Sequence, residues 1–187
     1  GKEEKTIVYP GVLQAEYPFK VRGGKVAWVE WELDSRWGYR DFSRIRVYDI
    51  KEKKFVSDLR RTKARLAVLD ESGKFILYVN WDANQGQHVV VTNLKGKEVY
   101  RLTFPRERVI TSLDWLSLNE VVMVVKDMND QKEVVKLSLL DQIETTLLAP
   151  TLNNLGFITA YDGRILVEAP GSGIDNIFEV KNSNLTQ

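Results

Sequence analysis

His88 is the only histidine in this chain of 187 residues, and there is no cysteine. A Ser-His-Asp triad would have to recruit that one imidazole as its base. No Gly-x-Ser-x-Gly elbow occurs, and Gly171-Ser-Gly173 lacks the spacing that lifts a nucleophilic serine out of a strand-to-helix turn. His88 is read instead as a surface or edge histidine at the start of a strand. Without cysteine there are no disulfides, thiolate zinc sites or thiol nucleophiles, and one histidine leaves zinc short of ligands. Asp82-Ala-Asn-Gln-Gly86 and Asp127-Met-Asn-Asp-Gln-Lys132 begin like oxygen-ligand loops for calcium, but both lack the later bidentate acid. They suit hairpin turns, where Asn, Asp and Gly supply the unusual backbone angles. Gly23-Gly24 stands without a phosphate-binding fingerprint or a following helix. The reading is of a chain with no catalytic residue, no metal and no cofactor.

Recognition chemistry is better represented. The segment Trp31-Glu-Leu-Asp-Ser-Arg-Trp-Gly-Tyr-Arg-Asp41 concentrates Trp, Tyr and Arg, the residue types that dominate the energetic centres of protein interfaces. Trp37, Tyr39 and Arg40 are the candidate anchors for a protein or peptide partner: an aromatic platform stacks on rings, and a guanidinium pairs a carboxylate in fork geometry. A second role for Trp37, folding back to seal the core, stays open beside the first. Trp28, Trp81 and Trp115 sit in strand-like runs and are assigned to the core. The basic run Arg60-Arg-Thr-Lys-Ala-Arg65 reads as a solvated connection, with a docking patch for an acidic partner as its alternative.

Charge and length narrow the class. Lys and Arg number 27 against 26 Asp and Glu, so the formal charge is +1 and there is no general field for a nucleic-acid backbone. No run of roughly 18 apolar residues is present, so no helix spans a bilayer. At 43% hydrophobic residues the chain can bury one sizeable core.

These residues are positioned by a repeat. Four segments share one grammar: a short alternating run, a tight turn, a strongly β-prone run, a polar loop, another β-prone run and a turn. Gly24, Gly73, Asn119 and Gly163 mark the first turn at steps of 49, 46 and 44 residues, and Ile45, Val89, Val134 and Ile177 repeat at 44, 45 and 43. Runs such as Lys25 to Trp31, Lys74 to Trp81 and Glu120 to Lys126 are nearly continuous in Val, Ile, Leu and aromatics, as in strands buried on both faces. The runs Arg44 to Asp49, His88 to Asn93, Glu133 to Ser138 and Asn176 to Val180 alternate more and read as half-buried. This period predicts an all-β β-propeller of about four blade-like units of four-stranded antiparallel sheet, or a slice of a larger propeller. The units run approximately over 15–60, 64–104, 109–149 and 155–187, with 6–9 completing the last blade and closing the ring. A β-sandwich has no reason to repeat the same turn four times.

At Leu69-Asp-Glu-Ser-Gly-Lys74, Trp115-Leu-Ser-Leu-Asn-Glu120, Asp175-Asn-Ile-Phe178, Leu102-Thr103 and Leu185-Thr186 the chain resembles the TolB-like, WD-repeat-related propellers of bacterial envelopes. The segments Arg36 to Asp49 and Ser172 to Ile177 are similar to propeller-bearing envelope proteins of Bacteroidetes-type bacteria. The resemblance implies a periplasmic or envelope-associated recognition or scaffolding module, itself not an enzyme, inside a larger protein. Two alternatives accompany it: an accessory propeller gating or supporting a hydrolase or peptidase domain outside this chain, and a binder of glycans or small ligands.

Overall fold

The computed structural model describes residues 5–13, 19–37, 41–171 and 173–187. Among these the regular structure is strand, in four antiparallel sheets of four strands, each strand pairing with its neighbour in sequence. Contacts divide the chain into two compact units, residues 1–82 with 90–101, and residues 83–89 with 102–187.

The first unit holds the sheet β1 (Lys20–Arg22), β2 (Lys25–Glu32), β3 (Phe42–Asp49) and β4 (Lys54–Thr62), then β5 (Ala64–Leu69) and β6 (Phe75–Asp82) of the second sheet. That second sheet continues through β7 (Gly86–Asn93) and β8 (Glu98–Phe104). The tight turns fall where the sequence places them, at Gly23-Gly24 between β1 and β2 and at Asp70 to Lys74 between β5 and β6. Asp70 builds the second turn itself: its carboxylate accepts from the amides of Lys74 and Phe75, both at 2.7 Å. Gly23 has φ +55°, and a Cβ there would lie 2.6 Å from the Gly73 nitrogen and from the Ser72 carbonyl group, so the two turns touch at a spot only glycine fits. Ala27, Val29, Ile45 and Val47 of the first sheet pack on Ala64, Ala67, Leu69, Ile76 and Tyr78 of the second. A fully buried Val, Leu or Ile contributes about 2 kcal/mol, whereas exposed ion pairs such as Arg101 with Glu98 are worth about 1 kcal/mol or less. Apolar burial therefore holds this unit together.

The second unit holds β9 (Val109–Ser117), β10 (Glu120–Lys126), β11 (Lys132–Ser138) and β12 (Glu144–Thr151), then β13 (Ile158–Tyr161), β14 (Arg164–Gly171), β15 (Ile174–Lys181) and β16 (Asn184–Thr186). β10 is buried from Val121 to Val125, as its unbroken Val and Met run requires. Here buried polar groups assist the apolar cluster. The Asp114 carboxylate accepts from Thr159 Oγ1 at 2.8 Å and from the Ala160 amide at 3.2 Å, and the Ser112 hydroxyl accepts from the Ile158 amide at 2.9 Å.

Three features differ from the sequence reading. β7 is buried along seven of its eight residues, so His88 is 1% exposed rather than a surface histidine. Its Nδ1 lies 3.2 Å from the Thr103 hydroxyl. A polar residue within an apolar run gives no sign of which face is covered, and here both are. The basic stretch Arg60 to Arg65 is not a loop: it is the end of β4, a one-residue link at Lys63 and the start of β5. The fourth sheet takes its outer strand from Asn184–Thr186, while Thr6 to Tyr9 form no strand and Val8 packs beside Val26, Trp28 and Tyr48.

Candidate functional site

The aromatic loop of the sequence reading connects β2 to β3. Trp37 is 60% exposed, and Tyr39 and Arg40 lie outside the described residues. The loop leaves β2 after Glu32, where the strand has passed the end of the core: residues Val26 to Glu30 are buried, and Trp31 is 41% exposed. It returns at Asp41, and Trp31 then faces Ser43 across the β2–β3 ladder.

Beside the root of this loop the first unit has a groove of about 210 Å³, lined by Trp31, Phe42, Lys63, Arg65 and Trp81, with Asp41 as its single acid. Lys63 is the hinge of the arrangement, because the chain passes from the first sheet to the second through this one residue. Its backbone is clamped to β6, the amide donating to Asn80 Oδ1 at 3.0 Å and the carbonyl accepting from the Trp81 amide at 3.1 Å. Its ammonium donates to the Asp41 carbonyl and stands 4.7 Å from the centre of the Phe42 ring, where the face of the aromatic quadrupole attracts it. Ala64 forms part of the floor and is 1% exposed. The Ser43 hydroxyl is engaged with Thr62 Oγ1 at 2.8 Å.

Trp81 corrects its assignment to the core. It is 45% exposed, whereas Trp28 and Trp115 are buried as expected. β6 is buried only from Ile76 to Val79, and the last turn of the strand runs past the apolar layer. The sequence carried a signal for this: Trp81 stands between Asn80 and Asp82, and polar residues on both sides of an aromatic mark the point where a buried run has ended.

On the flank of the groove, β4 contains a β-bulge. Arg60 and Arg61 together oppose Arg44, since Ser43 pairs with Thr62 and Ile45 with Leu59. Arg61 adopts φ +52°, a left-handed conformation rare for a long side chain, and its amide is held by Glu32 Oε2 at 3.0 Å. The bulge leaves the Arg61 side chain exposed two residues before Lys63.

At the corresponding place in the second unit a lysine is held by the chain itself. Lys132, at the start of β11, donates to Asn154 Oδ1 and to the Leu155 carbonyl, both at 2.6 Å. Burial holds its ammonium below the usual lysine range, with the charge of Lys126 acting in the same direction. The two loops weighed for calcium are hairpin turns between strands. In one of them Asp127 Oδ1 is occupied by the amides of Asn129 and Gln131 at 2.8 and 2.9 Å. Among the described residues no group of three or more His, Asp or Glu side chains converges.

No family model matches the sequence, and no curated protein sequence matches it. Solved structures do match. The β-propeller domain of the trilobed protease from Pyrococcus furiosus superposes with a TM-score of 0.61 at 13% identity, over 93% of this chain and 55% of that one. The fold is a β-propeller. An acylaminoacyl peptidase matches with a TM-score of 0.59 at 15% identity, over 90% of this chain and 31% of that one. TolB from Acinetobacter baumannii matches with a TM-score of 0.53 at 9% identity, over 97% of this chain and 47% of that one. This chain therefore spans about half the length of the trilobed protease propeller and of TolB, and under a third of the peptidase. The four sheets are four blades of the propeller, and the TolB-like resemblance read from the turns is a resemblance of fold. No helix among the described residues is long and apolar enough to cross a membrane.

Proposed function

We propose that this chain is a non-catalytic recognition module, one propeller or part of a larger one over residues 1–187, within a larger envelope-associated protein. Its binding surface is the β2–β3 loop, with Trp37, Tyr39 and Arg40, together with the groove at the root of that loop. The observation that carries this reading is the pair of half-exposed tryptophans, Trp31 and Trp81, lining the groove that Lys63 runs through. Large aromatics left in water at the ends of buried strands cost solvation without serving the core, and they are the residue type on which interface energies concentrate. Rigid strands on both sides fix the groove, so little ordering entropy is lost on binding. The periplasmic or envelope setting is supported by the likeness to TolB.

The test is selection of displayed peptides on the wild-type chain, followed by binding to Trp31→Ala/Trp81→Ala and to a triple alanine variant at Trp37, Tyr39 and Arg40. Peptides that lose at least about tenfold in affinity on these variants, with the melting temperature retained, support the reading. Selected peptides that bind both variants as well as the wild type remove it.

A second reading is favoured by the likeness to peptidase propellers: the module accompanies a hydrolase domain elsewhere in the polypeptide. A serine-hydrolase or metallopeptidase motif in the flanking sequence would move the function there, with the groove then serving substrate selection.

A further inference from the structure

We infer that the groove beside Lys63 takes an aromatic side chain of an acidic peptide, with the carboxylates next to that side chain pairing with Arg65 and Arg61. This deepens the proposed recognition role and rests on it.

Size is the first argument. At about 210 Å³ the groove lies below the roughly 300 Å³ at which pockets for small ligands begin, and it accommodates one large side chain rather than a cofactor. Its walls fit that side chain to be a ring. Trp31, Trp81 and Phe42 supply aromatic rings, and offset or edge-to-face contacts add attraction beyond the area buried.

Charge is the second argument. Arg44, Arg46, Arg60, Arg101, Arg108 and Arg164 each pair with an Asp or Glu. Arg65 lines the groove, Arg61 lies two residues before Lys63 with its amide held by Glu32, both side chains are exposed, and neither guanidinium forms an ion pair with a described acid. Lys63 has its ammonium turned to the Asp41 carbonyl and the Phe42 ring, so the two guanidiniums are the cations left for a ligand. Arg61 sits in a bulge at a left-handed backbone angle that is costly for a long side chain, and bulges re-aim side chains at functional edges. A guanidinium fork matches a carboxylate in two hydrogen bonds.

These features favour a peptide over a sugar. A pyranose stacked on an indole also needs acceptors and donors in the plane of its ring. The groove offers one acid, Asp41, and its serine hydroxyl is already engaged with Thr62.

The probe is the fluorescein-labelled peptide Glu-Asp-Phe-Glu-Asp, read by anisotropy on the full chain. It is compared with its amide isostere Gln-Asn-Phe-Gln-Asn, its alanine version Glu-Asp-Ala-Glu-Asp, and a heparin octasaccharide. The acidic phenylalanine peptide binds. Replacing its ring weakens it at least about tenfold, and replacing its acids or raising salt from 0.05 to 0.5 M weakens it about tenfold. Arg65→Gln and Arg61→Gln each weaken it about threefold with the melting temperature unchanged, as single exposed charge pairs do. Equal affinity for the amide isostere overturns the acidic specificity while leaving the recognition role in place. Binding of the octasaccharide but not of the peptide overturns the choice of a peptide. If neither the acidic peptide nor its isostere binds while selected peptides of other composition do, this inference alone falls; if the selections are empty as well, the recognition role falls with it.

Discussion

The two units solve the same packing problem with different chemistry. In the first, β2 lies against β5 through alanines and aliphatics, and the end of that seam stays open, edged by Trp31, Phe42 and Trp81. In the second, β9 and β10 lie against β13 through an apolar cluster that is also pinned, with Asp114 and Ser112 holding the backbone of β13. At the end of that seam lies Lys132, which caps the Leu155 carbonyl. A lysine bridges the strands in both places, but in opposite directions. Lys63 reaches from the start of β5 back to the start of β3, and Lys132 from the start of β11 forward to the start of β13. Lys132 is held by a carbonyl and an amide oxygen of the link before β13. Lys63 lies along a phenylalanine ring, and a groove remains beside it. The repeat sets the seam, and the residues at its end decide whether it can bind.

The comparison is broken most severely at Asp114. Asp114→Ala removes the acceptor of three hydrogen bonds from buried or half-buried donors, including the amides of Trp115 and Ala160. The expected loss is about 3 kcal/mol by urea denaturation. A loss under about 1 kcal/mol would mean that the seam of β9 and β10 with β13 is held by its apolar cluster, as the seam of β2 with β5 is. At the first unit's seam, Gly23→Ala forces a Cβ against backbone atoms that cannot give way, for about 2 kcal/mol. Gly24→Ala has the same sign of φ and nothing within 4 Å, so it should cost about 1 kcal/mol, and the difference between the two measures the turn contact.

The smallest effect sharpens the contrast between the two lysines. The folded pKa of Lys132 is lowered by burial, so between that value and the unfolded value near 10.4 the unfolded chain binds more protons. Stability contributed by this residue therefore rises as pH increases through that window. Lys132→Met has no such titration, and its urea midpoint, set against the wild type at pH 7, 9 and 10.5, should gain on it at the low end and lose that gain at the high end, by a small amount because the ammonium is only partly buried and solvent screens it. Parallel profiles would show that the ammonium is not desolvated.

Much of the fold was legible because turns and buried runs are written locally. Gly24, Gly73, Asn119 and Gly163 announced the first turn of each blade, and the Val121 to Val125 run announced a strand covered on both faces. The site was legible in part. The sequence pointed to the loop after Trp31, which borders the groove, but it placed Trp81 in the core and read Arg60 to Arg65 as a loop. Both misplacements have one cause. A run of strand-forming residues does not state where the layer covering it stops, and a tryptophan two residues beyond that layer looks like one within it.

By itself, the sequence determined the strand period, the turn positions and the all-β class, because each of these depends on residue type and near neighbours. Tertiary structure alone decided that His88 is buried, that Lys63 carries the chain from one sheet to the next, and that Trp31 and Trp81, fifty residues apart in sequence, line one groove. Burial and proximity are set by which sheet packs on which, and that depends on the sum of many weak contacts between residues far apart along the chain.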